Sequence, residues 1–386
     1  MKRISIILLT AATSFVVGCG NDPGTGDDGD GTTDGVVGGD EWDKELGKRE
    51  YDYNAALRIA ALRLTGDIPT MVEINQVLNA PDLESKKAAY EGLLQNYMAR
   101  PTFARQMLFF WRDTFKMGET AEMDTAPTFA AMLSVQNGDY TQLFKAATGA
   151  CPTLDINTGV FTPADCAGTG PKVGVLANQG VMKQFYSNFA FRRVKWVQET
   201  FDCTKFPIDQ TGVPTDVGAA VPFTGSYPFE SISGTDNGGR VDFHDTAGVI
   251  CAGCHVNLNH QAPLFAYFDI NGAYQTAISV KTPLPGEPNA LLTDYLPAGE
   301  PYSWRAGVVT PTLETYGAAM AADPDVAQCG VARMWNWALG HGDIVDSLRE
   351  VPKETIQAQV DAFTQNGFKM KDLIYAVFTS DDFAQF

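Results

Sequence analysis

Along most of the chain, apolar residues return at helical spacing. From Tyr53 to Leu64, Ala, Leu and Ile recur every three or four positions, while Arg58 and Arg63 fall on other faces, which predicts a helix. Thr65-Gly66-Asp67-Ile68-Pro69 breaks it. Thr70 then stands as an N-cap with Glu73 three residues on, the spacing of a capping box. Leu83 to Met98 and Pro101 to Met117 read as two further helices, with Pro101 suited to a first turn. Phe103, Met107, Phe110 and Trp111 form a stripe on the second of these, read as core rather than as the wall of a cofactor site. Met123 to Ala147 divides into two short helices.

The middle of the chain differs. Gly168 to Asn188 mixes glycine with apolar residues, and Phe189 to Phe201 reads as a helix bearing Arg192, Arg193 and Lys195. Pro207 to Arg240 is rich in Gly, Pro, Ser and Thr, with little helical period. A short helix is expected over Thr246 to Asn257. Pro263 to Tyr274 holds Phe265, Tyr267, Phe268 and Tyr274, and five prolines between Pro283 and Pro301 mark a loop region. Helical period resumes at Pro311 to Ala321 and Pro324 to Leu339, the latter with Met334, Trp335 and Trp337. Pro352 opens another helix with Ile356, Val360 and Phe363 on one face, and Gly367 stops it in the manner of a C-cap. Met370 to Phe378 is the last. The expected fold is mostly α: a helical N-terminal domain (44–150), a loop-rich domain (151–310) and a helical C-terminal domain (311–386).

The N-terminus has the layout of an export signal. Met1-Lys2-Arg3 is basic, Ile4 to Val17 is mostly apolar but too short to span a bilayer, and Val16-Val17-Gly18-Cys19 closes it. This end resembles a bacterial lipobox, which implies a signal peptide over 1–18, cleavage before Cys19 and lipidation of its thiol. By the sorting rule that comes with that resemblance, Gly20 directs the anchor to the outer membrane, facing either the periplasm or the cell surface. An ordinary signal peptide is the alternative. Residues 19–43 form a tether rich in Gly, Asp, Thr and Pro with eight acids and no Lys or Arg, a composition that cannot bury apolar area. Asp27, Asp28, Asp30 and Asp34 suggest calcium, but the closing Glu of a calcium loop is missing, so a solvated tether is the reading.

Charge narrows the partners. The chain carries −18; without Lys2, Arg3 and the eight tether acids, the body carries −12. That argues against nucleic acid and for solubility or a basic redox partner protein. Hydrophobic residues make up 45% of the chain, enough for real cores.

One short motif carries chemistry. Cys251-Ala252-Gly253-Cys254-His255 is the attachment signal of a c-type haem. The two thiols add across the haem vinyl groups, and His255 becomes the proximal iron ligand. A zinc knuckle would need a second Cys/His pair of matching spacing, which the chain lacks. A redox dithiol needs neither the histidine nor this context. One covalent haem c is therefore expected, with the long irregular segment before the motif covering a haem edge. Of the other cysteines, Cys151 with Cys166 and Cys203 with Cys329 are the preferred disulfides, the alternative being free buried thiols.

Several stretches resemble the planctomycete-type cytochrome c family, large exported bacterial proteins with domains of unknown function. AALRLTGDIPTMVEINQVL looks like their opening helices. GVLANQGVMKQFYSNFAFRRVKWVQETF and CAGCHVNLNHQAPLFAYFDINGAY look like their haem-bearing domain, and CGVARMWNWALGHGDIV with FTQNGFKMKDLIYAVFTSDDF like their C-terminal helices. The resemblance covers most of residues 50–386 and implies a c-type haem and electron transfer; it supplies no substrate. The chain departs from the pattern at Gln261-Ala262-Pro263-Leu264-Phe265, where the family often has Asp-Pro-Leu-Gly-Phe.

The sixth iron ligand decides function: His or Met there makes a carrier, an open position allows peroxide or oxygen chemistry. Distal candidates are His341, Met334, Met182, His260 and His244. Each has a plainer reading: dipole compensation at a helix end for His341, core filler for the methionines, a surface or propionate-side position for His260 and His244. Arg192, Arg193 and Arg240 could pair with haem propionates, but ordinary surface charge is the favoured reading. Three functions follow: a membrane-anchored mono-haem electron-transfer protein, a haem peroxidase or oxygenase with an open distal site, or a binding or scaffold lipoprotein with structural haem.

Overall fold

Helix α1 (Tyr53–Thr65) begins where the Asp52 carboxylate accepts the amides of Asn54 and Ala55, both at 3.0 Å. It ends at Gly66, whose φ of 79° lies in the left-handed region that favours glycine. Ala56, Leu57, Ala60, Ala61 and Leu64 are buried along one stripe. The computed structural model describes residues 47–205 and 252–386, apart from 285, 297, 298, 306 and 350.

Helix α2 (Met71–Leu78) has the capping box that Thr70 and Glu73 predict. The Thr70 amide donates to Glu73 at 2.7 Å, and the Glu73 amide donates to the Thr70 hydroxyl at 3.3 Å. Helices α3 (Leu83–Tyr97) and α4 (Pro101–Phe115) follow, the latter with Pro101 in its first turn. The Phe103, Met107, Phe110 and Trp111 stripe is buried, as its period requires. Next come α5 (Thr125–Val135) and α6 (Gln142–Lys145).

An antiparallel hairpin, β1 (Thr153–Asp155) with β2 (Val160–Thr162), was not legible from alternation, because each strand is three residues long. The Cys151–Cys166 disulfide closes its base. The Gly168 to Asn188 stretch contains a 3-10 turn at Gly174–Ala177 and a short helix, α7 (Gln179–Gln184).

Helix α8 (Phe191–Phe201) starts two residues later than its apolar pattern predicts. Phe189 (φ 58°) and Ala190 (φ 60°) both lie in the left-handed region, which breaks helical continuity before Phe191. Helix α9 (Ala252–Phe265) bears the end of the Cys251–His255 motif. It outruns the expected end at Asn257 and passes through Pro263, which forfeits only one helical hydrogen bond so close to the terminus. Thr246 to Cys251 lie outside the described residues.

A second hairpin pairs β3 (Ser303–Arg305) with β4 (Val308–Val309). The chain then runs through α10 (Leu313–Ala322), α11 (Pro324–Leu339), α12 (Val345–Arg349), α13 (Lys353–Gln365), α14 (Met370–Phe378) and α15 (Asp381–Ala384). Gly367 ends α13 with φ 69°, and the Phe368 amide turns back to the Phe363 carbonyl at 2.8 Å.

The architecture is mostly helical, and the strands among the described residues form only the two hairpins. Residues Glu50–Phe386 cluster as one unit. Its buried apolar residues, drawn from all three expected parts of the body, make one continuous core. The second disulfide, Cys203–Cys329, joins the end of α8 to α11 across 126 residues of sequence. No described helix is long and apolar enough to cross a membrane.

Candidate functional site

Helix α9 sets His255 in its first turns and Asn259 one turn further on, so the two side chains share a face. His255 Nδ1 lies 2.8 Å from Asn259 Oδ1. An amide oxygen can only accept, so Nδ1 carries the proton and Nε2 holds the lone pair. Burial pushes the imidazole down to about 4, against the opposing effect of the Asn259 bond, so the ring is neutral at pH 7. Both properties are those of a histidine prepared to bind metal through Nε2. Cys254 precedes His255 on α9; Cys251 lies outside the described residues.

Phe191 supplies a wall. Its ring stands edge-on to the His255 imidazole, with centroids 5.1 Å apart and planes at 89°. Phe191 owes its place to the two left-handed residues before it, and the Phe189 amide is held by the Lys281 carbonyl at 3.2 Å. Non-glycine residues in this region cost roughly 1–3 kcal/mol each, and they persist where surrounding structure fixes them. Phe189 is buried at 2% exposure and Ala190 at 0%.

Arg193 overturns its surface-charge reading. It is fully buried, and its guanidinium donates only to main-chain oxygens. Nε and Nη2 donate to the Met182 carbonyl at 2.9 and 2.6 Å, Nη1 to Phe265 and Phe268 at 2.8 and 2.7 Å, and Nη2 to Asp269 at 2.9 Å. These oxygens include the end of α9, where helical carbonyls lack partners and the dipole is negative. Burial lowers the guanidinium to about 10, so it stays charged at neutral pH. Arg193 therefore clamps α9 to α7 and is spent on carbonyls. Arg192 is exposed, and Arg240 lies outside the described residues.

The departure at Gln261 has a structural role. Gln261 is fully buried. Its Nε2 donates to the Trp304 carbonyl at 3.0 Å, and its Oε1 accepts from Gln198 Nε2 at 3.0 Å and from the Tyr316 hydroxyl at 2.6 Å. One amide thus joins α9 to α8, β3 and α10. Trp304 and Arg305 on β3 both donate to the Asp323 carboxylate, at 2.7 and 2.5 Å, and Arg305 also reaches Asp202 at 2.5 Å. Asp202 directly precedes the Cys203–Cys329 disulfide, so the frame around α8 and α9 is both covalent and ionic.

The distal candidates are dispersed. His260 is buried, at 3% exposure, rather than on the surface; its Nε2 lies 3.3 Å from Glu300. Five residues beyond His255, it is turned away from the His255 face. Met182 is fully buried, with its carbonyl on Arg193 beside that of Phe265, ten residues or about 15 Å of helix from His255. Met334 is buried next to Arg333, whose guanidinium holds the Thr200 and Glu199 carbonyls at 2.8 and 2.6 Å. That places it by the end of α8 opposite Phe191. His341 is exposed, its amide closing α11 on the Asn336 carbonyl at 2.8 Å. His244 and Cys19 lie outside the described residues.

The residues present fit a haem: an uncharged imidazole with Nε2 as its basic nitrogen, an aromatic wall beside it and a rigid frame behind it. Asn259 and the buried role of Gln261 escaped the sequence reading, although the spacing of Asn259 from His255 is a usable signal. Phe191 and Arg193 are positioned by tertiary contacts that spacing does not encode. No family model, curated protein or solved structure matches this chain.

Proposed function

We propose that this chain is a membrane-anchored c-type cytochrome that carries one covalent haem and transfers single electrons in the cell envelope. Cys251 and Cys254 are its thioether attachments and His255 its proximal ligand, and acylated Cys19 holds it to the outer membrane. The three-part division into 44–150, 151–310 and 311–386 belongs to this reading, as does a basic redox partner for an acidic body.

The observation that carries the reading is the His255–Asn259 hydrogen bond at 2.8 Å. A histidine ligand generally gives its second ring N–H to a fixed acceptor, which sets its tautomer and raises its basicity. Here a side chain one helical turn away does so, directly after a CxxCH motif. A haem c bound at His255 supplies a one-electron iron couple. The chain's own contribution is to hold the imidazole neutral and oriented, to wall it with Phe191, and to keep α9 in place through Arg193 and Gln261.

Visible spectra of the haem-matured, full-length protein, oxidised and reduced, with and without carbon monoxide, test this function. Low-spin bands unmoved by carbon monoxide are expected of a carrier. A high-spin spectrum that shifts on carbon monoxide would instead make the protein a peroxidase or oxygenase.

A further inference from the structure

The Tyr295 hydroxyl is buried and has no hydrogen-bond partner among the described residues. The whole residue is 0% exposed. Native proteins rarely leave a buried hydroxyl unpaired, and such a group asks for a partner not yet in place. Its position suggests which. The Tyr295 ring stands edge-on to Phe189 at 5.6 Å and to Phe191 at 6.1 Å. Phe191 in turn stands edge-on to His255 at 5.1 Å. The Phe191 ring therefore touches both the Tyr295 ring and the imidazole.

Tyr295 is also firmly held. It follows a 3-10 turn at Leu292–Asp294, where the Asp294 carboxylate accepts the Leu291 amide at 2.7 Å and the Tyr295 amide reaches the Leu292 carbonyl at 3.1 Å. Burial raises the phenol well above its ordinary range, so it is a donor throughout the physiological pH range. The buried Asp294 carboxylate adds to that shift and the Arg193 guanidinium opposes it, so both a buried carboxylate and a buried cation lie near the phenol.

We propose that Tyr295 is a haem-positioning residue whose hydroxyl donates a hydrogen bond to a propionate carboxylate of the haem held by His255. The inference rests on the haem reading above. Propionates are the anionic acceptors on a porphyrin edge, and an O–H donor to a carboxylate makes one of the stronger hydrogen bonds available. An unpaired phenol in an apolar wall, beside a buried cation, matches that acceptor better than it matches an apolar porphyrin edge.

Tyr295→Phe removes the hydroxyl and keeps the ring. In the full-length, haem-loaded protein it should shift the propionate-bending band in resonance Raman spectra. It should also lower the reduction potential, because the propionate charge is less neutralised, and lower the denaturant midpoint. In the haem-free Cys251→Ser/Cys254→Ser protein, the same substitution deletes an unpaired polar group and should raise the denaturant midpoint, with the unfolding constant falling roughly fivefold or more. Opposite signs in the two proteins are the signature. An unmoved Raman band in Tyr295→Phe protein shown to contain haem would overturn this role and leave the proposed function standing. Absence of covalent haem from the wild-type protein would overturn both.

Discussion

Asn259 Oδ1 accepts a hydrogen bond from His255 Nδ1 at 2.8 Å, one turn along the helix that also bears Cys254. The imidazole is thereby fixed in one tautomer by its own helix. Replacing Asn259 with Ala keeps helical propensity and removes the acceptor. Haem should remain covalently attached, as a pyridine haemochrome assay would read. The histidine–iron bond should weaken, since such outer partners are worth about 10–100-fold in metal affinity. Titration with exogenous imidazole should displace His255 at correspondingly lower concentration. An unchanged titration would remove Asn259 from the account.

Arg193 should be the costliest single position in the frame. Its five hydrogen bonds all end on carbonyl oxygens. Arg193→Met leaves the Met182 and Phe268 oxygens without a donor, while the Phe265 and Asp269 oxygens keep the amides of Phe268 and Gly272; the cost is about 1–3 kcal/mol for each oxygen that finds no water. A total loss of at least about 3–5 kcal/mol is expected in urea unfolding, with Arg193→Lys recovering part of it. A loss under about 1 kcal/mol would mean that water replaces the clamp.

The two disulfides should differ in weight. The Cys203–Cys329 bridge spans 126 residues and Cys151–Cys166 spans 15. In the chain-entropy model these are worth about 5 and about 3 kcal/mol. Paired Cys→Ser variants, compared by denaturant midpoint, should rank in that order.

Glu73 gives a pH dependence. Burial pushes its carboxyl up, but the Thr70 amide, the Arg100 guanidinium at 2.5 Å and the Thr70 hydroxyl outweigh this and hold it below the ordinary range. A depressed carboxyl stabilises the fold above its unfolded pKa, and that contribution is lost as pH falls through the folded value. Glu73→Gln should therefore cost stability at pH 7 and flatten the acid limb of the stability–pH curve below the ordinary carboxylate range. Thr70→Ala should cost about 1 kcal/mol through the lost cap. Parallel wild-type and Glu73→Gln acid limbs would contradict the assignment.

Much of the helical frame was legible because it depends on local signals. Thr70 and Glu73 form their capping box, Pro101 opens α4, Gly367 ends α13, and Phe103, Met107, Phe110 and Trp111 face the core. What was not legible depends on distant partners. Nothing local marks Arg193 as buried, because its four acceptor oxygens come from α7, the end of α9 and the turn that follows it. The left-handed Phe189 and Ala190 carry no glycine to announce them. Helix α9 continues through Pro263, where a local rule would stop it. Gln261 looks like a departure from a family pattern, yet it joins four elements through one amide. At the candidate site, the CxxCH spacing is local, whereas Phe191 meets His255, and Tyr295 meets Phe191, only through folding.

The central claim is a covalent haem ligated by His255. The most direct test is a pyridine haemochrome spectrum of the protein produced in a host with c-type haem maturation, run beside Cys251→Ser/Cys254→Ser and His255→Ala. The account predicts a haem c spectrum with one haem per chain, loss of covalent haem in the double cysteine variant, and an altered oxidised spectrum in His255→Ala. A protein purified without covalent haem under conditions that mature a control cytochrome c would contradict it.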